Sequence, residues 1–91
     1  MDAKSRLLLL LHSIIQEMRE TRSEISIYSK YDSWNGFADK LEELRNELLK
    51  NKKTAKVKLK FIFLPTSDWD DSGGISGFNP DEILELLDKI K

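Results

Sequence analysis

One stretch restricts this chain more than any other: Lys56-Val57-Lys58-Leu59-Lys60-Phe61-Ile62-Phe63-Leu64, closed by Pro65. Lysine and apolar residues alternate from Lys56 to Phe61, the period of two that marks a half-buried strand. In that reading Val57, Leu59, Phe61 and Phe63 share the face that packs on the core. Lys56, Lys58 and Lys60 share the other, where charge discourages aggregation. Ile62 and Leu64 ask for cover on that second face as well. Pro65 ends the strand because it cannot donate to a ladder. A strand cannot satisfy its own backbone groups, so it needs a partner. Two copies crossing about a two-fold axis would pair both edges, and the sequence therefore predicts a homodimer. Residues 75–78 offer a shorter partner within the chain, but Gly73, Gly74 and Gly77 make them a poor strand.

The remaining segments read as helices. Asp2 is a candidate N-cap. Leu7, Leu11, Ile14, Met18, Ile25 and Tyr28 then lie three, four or seven apart, which predicts an amphipathic helix over 2–29. Leu8 and Ile15 widen its stripe. An alternative begins from Ile25-Ser26-Ile27-Tyr28, which also alternates and is rich in β-branched residues. With 24–30 as a second strand, the chain would contain a βαβ unit of an α/β fold. Tyr31 to Gly36 is a turn. Trp34, Phe37, Leu41, Leu44 and Leu48 predict a second helix over 35–50, stopped near Asn51. Asn79-Pro80-Asp81-Glu82 opens a third over 80–90, with a cap, a proline at the first helical position and acids at the positive end. Ile83, Leu84, Leu87 and Ile90 form its apolar face. The expected fold is one α+β domain over 1–91, mostly helical. It has an N-terminal antiparallel helical hairpin, one strand at 56–64, an acidic loop at 66–79 and a docking C-terminal helix.

That loop is long for 91 residues, and long loops in small domains often carry function. Asp68, Trp69, Asp70 and Asp71 are its candidate contact residues. Trp69 reads first as an anchor onto the core and second as an exposed hot spot. Asp68, Asp70, Ser72 and Gly73 also match positions one, three, five and six of an EF-hand calcium loop, with Ile75 at position eight. Position twelve is Asn79 rather than a bidentate glutamate, and a strand rather than a helix precedes the loop. Calcium through Asp68, Asp70 and Ser72 is therefore the alternative function, and no other cofactor is implied.

Catalysis has little to stand on. There is no cysteine and one histidine, His12, without an acid nearby in sequence. Gly73-Gly74 lacks the spacing and the lysine of a phosphate loop. The formal net charge of −1 argues against a general nucleic-acid binder, although six lysines between positions 50 and 60 occur with no acid among them. The leucine run at 7–11 is interrupted by His12 and Ser13, and no signal-peptide cleavage site follows. No stretch approaches the length of a membrane span. The absence of cysteine suits a cytoplasmic protein. The expected function is a small, non-enzymatic protein-interaction module, regulatory or inhibitory, that uses loop 66–79.

Overall fold

The computed structural model describes residues 2–90, and its regular structure is helical throughout, with no strand among them. Helix α1 spans Ala3–Glu20, α2 Trp34–Leu49, α3 Lys53–Phe63, α4 Asp68–Asp71 and α5 Pro80–Lys89. The α+β assignment is thereby corrected. The segment expected as a strand at 56–64 lies almost wholly inside α3, and residues 24–30 form neither the helix nor the second strand considered for them. The two-fold pairing inferred from an open strand edge loses its basis.

The physical reason lies in the backbone. An isolated strand leaves a row of N–H and C=O groups without partners, whereas a helix closes its own hydrogen bonds. The segment also carries a helical stripe: Ala55, Leu59, Ile62 and Phe63 are buried, at offsets of four, seven and eight. Helix α3 therefore divides the expected apolar face. Leu59 and Phe63 point into the core, while Val57 and Phe61 are 55% and 63% exposed.

Helix α1 starts at Asp2, whose carboxylate accepts from the Ser5 backbone N–H at 2.7 Å. That hydrogen bond holds the Asp2 carboxyl below its ordinary pKa. The helix stops nine residues short of position 29 because local hydroxyls compete for the backbone. Thr21 Oγ1 accepts from Ser23 N, Ser26 Oγ from Tyr28 N and Ser29 Oγ from Tyr31 N, at 3.3, 3.2 and 3.1 Å. Tyr28, expected on the helical stripe, is exposed in this connection, as is its neighbour Ile27.

Helix α2 is capped by Ser33, which accepts from Gly36 N at 3.1 Å. It ends where Asn51 turns into the left-handed region, with φ of 61°. Asn51 N–H bonds Leu48 O at 3.0 Å and Lys52 N–H bonds Glu47 O at 3.0 Å, the paired closure that satisfies the last carbonyls. Helix α5 is capped by Asn79, which accepts from Asp81 N at 2.9 Å.

Helices α1 and α2 pack antiparallel. Arg19, late in α1, bonds Asp39 and Glu42, early in α2, at 2.9 and 2.8 Å, and Arg45 Nε bonds Leu8 O at 2.9 Å. Helix α5 lies against α1 and α3, and α3 also packs on α2 and α4. Leu7, Leu11 and Ile14 of α1 meet Phe37, Leu41 and Leu44 of α2 in a core completed by Leu59, Phe63, Ile83 and Leu87.

Candidate interaction surface

The loop expected to present aspartates is itself folded. Its first half winds into α4, and Trp69 is turned inward, 4% exposed, with its ring 5.3 Å from that of Phe63. Trp69 is therefore an anchor, and the reading of it as an exposed contact is corrected. Gly74 closes over the indole: its N–H bonds Trp69 O at 3.0 Å, and a Cβ at its φ of 64° would stand 3.0 Å from Trp69 Nε1. Only glycine takes that conformation at that distance without displacing the ring.

The other candidates are dispersed. Asp68 receives Lys30 Nζ at 3.2 Å and Tyr31 OH at 3.3 Å. Asp70 caps the turn before α4 by accepting from Thr66 N at 2.8 Å. Ser72 is buried, and its Oγ lies 2.7 Å from Ser29 Oγ. The three side chains of the calcium reading thus serve separate partners: Asp68 bonds Lys30 and Tyr31, Asp70 bonds Thr66 and Ser72 bonds Ser29. No group of three or more His, Asp or Glu side chains among the described residues is placed to hold a metal ion. Asp71 is exposed at the rim of an open groove that also takes in Lys58 and Phe61. His12 is exposed on α1.

What Asp68 and Ser72 do instead is bind the α4 segment to the connection before α2. Lys30 lies 5.5 Å from the centre of the Tyr31 ring, and Tyr31 stacks on Phe37 with centroids 4.4 Å apart. Burial first, and then the charge of Asp68, push the Tyr31 phenol up from 10.0 to about 12. The sign follows directly. Above pH 10 the unfolded chain loses this proton before the folded one does, so stability falls as pH rises and levels off above about 12. Denaturant titrations across that window are expected to show the decline. Tyr31→Phe is expected to lack this component of it.

Sequence reasoning missed the surface that stands out. On α3, Val57 and Phe61 are one turn apart on the side opposite Ala55 and Leu59. Lys53 and Lys60 border them on one edge and Lys58 on the other. None of these lysines enters an ion pair among the described residues; the pairs present use Arg6, Arg19, Lys30 and Lys40. The exposed phenylalanine and valine thus form an apolar centre with a rim of ammonium groups. The signal was present in the run without acids between Lys50 and Lys60, but it was assigned to a solvated sheet face.

No helix among the described residues is long and apolar enough to cross a membrane. Comparison with known proteins gives no matching family model, no matching curated protein and no matching solved structure.

Proposed function

We propose that this chain is a non-enzymatic protein-interaction module that docks an acidic partner through the exposed side of α3. The observation that supports this reading is the pairing of Phe61 and Val57, 63% and 55% exposed, with lysines that enter no ion pair among the described residues. A helix held on its far side by the core offers these side chains at little further ordering cost. Association with an acidic surface gains from steering by the lysines and from burial of the two apolar groups. The acidic loop keeps a part in this scheme at the edge, where Asp71 shares a groove with Phe61.

The test is a comparison of captures from the source cell by the parent protein and by the Val57→Ser, Phe61→Ser double variant. A photo-crosslinker at position 62's exposed neighbour, Phe61, identifies what touches α3. Capture of acidic proteins is expected to fall about tenfold in the variant and to weaken as salt is raised. An unchanged set of captured proteins would remove α3 as the contact surface.

A further inference from the structure

We propose a second site, adjoining the Val57 and Phe61 patch at Lys53, that takes a phosphate-type anion bearing an apolar group. It is the pocket of about 520 Å³ at the corner between α2 and α3, beside the end of α5. Its charged side chains are Lys4, Lys52, Lys53 and Lys56, and no carboxylate among the described residues lines it.

Two features make this more than a patch of surface lysines. First, two of the amines are already held by neutral oxygens: Lys4 Nζ donates to Asn51 Oδ1, and Lys56 Nζ donates to the Ile90 carbonyl. An ammonium has three donors, so each keeps two for a ligand while its position is fixed. None of the four lysines is neutralised by an ion pair among the described residues. Four like charges gathered with no ion pair among the described residues repel one another, and a multiply charged anion relieves that repulsion. Second, Leu48 and Ile90 supply an apolar lining. Inorganic phosphate would leave that lining in water, whereas a phosphomonoester with a short alkyl chain covers it. Lysine suits phosphate as a point charge, without the planar fork that selects carboxylates. The Asn51 backbone, in the left-handed region, turns the chain so that Leu48 before the corner and Lys52, Lys53 and Lys56 after it line one pocket.

The probe is hexyl phosphate, with inorganic phosphate as its comparison, titrated into isotope-labelled protein at low ionic strength while backbone amides are followed by NMR. Saturable shifts centred on Leu48, Asn51 to Lys56 and Ile90 are expected, with a dissociation constant below about 1 mM, and inorganic phosphate is expected to bind more weakly. Lys4→Gln with Lys56→Gln is expected to weaken binding about tenfold. Lys58→Gln with Lys60→Gln removes the same charge outside the pocket and is expected to change it little. Shifts that never saturate, or equal losses in the two double variants, would overturn the site. Phosphatidylcholine vesicles carrying phosphatidic acid distinguish the natural source. Co-sedimentation that disappears in the Lys4, Lys56 variant assigns a lipid headgroup. Hexyl phosphate binding without co-sedimentation assigns a soluble phosphomonoester. The Val57, Phe61 serine variant is expected to retain this site, so failure of the α3 docking reading leaves it standing.

Discussion

Replacing Leu59 with aspartate is expected to unfold the protein, while the same replacement at Phe61 leaves it folded with a melting temperature near the parent's. The two positions are neighbours on one face of a strand but lie on opposite sides of helix α3. Leu59 is 0% exposed, and Phe61 is 63% exposed. A carboxylate at 59 would be buried among Phe63, Leu41 and Ile83 in the apolar core. Burial of an unpaired charge costs more than the ~5–15 kcal/mol by which whole domains are stable, unless the group takes up a proton or the structure opens. At position 61 the carboxylate stays in water and lies among lysines. Far-ultraviolet circular dichroism during heating reads both outcomes. Loss of the fold by both variants would return the segment to a strand, in which the two side chains share the core face.

Trp69→Ala is expected to cost about 3–5 kcal/mol, the range for deleting a buried large aromatic. The indole is the only large side chain that α4 contributes to the core, and it covers Phe63 at 5.3 Å. Gly74 packs against that ring, so truncation leaves a space beside the turn. The loss is expected to extend locally. With the anchor gone, α4, a helix of four residues, has no stability of its own. The contacts of Asp68 with Lys30 and Tyr31, and of Ser72 with Ser29, then loosen together. Urea denaturation measures the global cost, and hydrogen exchange at Asp71, Ser72 and Gly74 measures the local opening. A change below about 1 kcal/mol, within the range of an ordinary surface substitution, would show that the loop is held by its polar contacts instead.

Helices α2 and α5 were legible because independent local signals agreed. In α2 the 3-4 spacing from Trp34 to Leu48 coincides with a Ser33 cap and an Asn51 stop. In α5 the Asn79 cap and Pro80 lead into Ile83 and Leu87. The first half of α1 was legible for the same reason. Its end was not, because the stripe runs on through Ile25 and Tyr28 on paper. Thr21, Ser26 and Ser29 divert the backbone there by hydrogen bonds that a hydrophobic pattern does not register.

Of the candidate site, the sequence located the acidic loop and favoured Trp69 as its anchor. It did not show that Asp68 and Ser72 serve the segment at 26–31, since nothing local in either segment names the other. The α3 patch was hidden by the same ambiguity that produced the strand. Between residues 55 and 63 two periods coexist: 57, 59, 61 and 63 at the spacing of a strand, and 55, 59, 62 and 63 at that of a helix. Leu59 and Phe63 belong to both, so periodicity alone does not decide.

By itself, then, the sequence determined what depends on neighbours along the chain: three amphipathic helices, two of them with their caps at Asp2 and Asn79, the lack of cysteine, and a block of lysines without acids. The tertiary structure decided the identity of the central segment and the positions of its exposed groups. A strand must find a partner to satisfy its backbone, and the described residues place none beside it. A helix satisfies itself and still buries Leu59, Ile62 and Phe63 against α2, α4 and α5. The two apolar residues that fit only the strand period, Val57 and Phe61, are left at the surface because a helix turns through 3.6 residues rather than two.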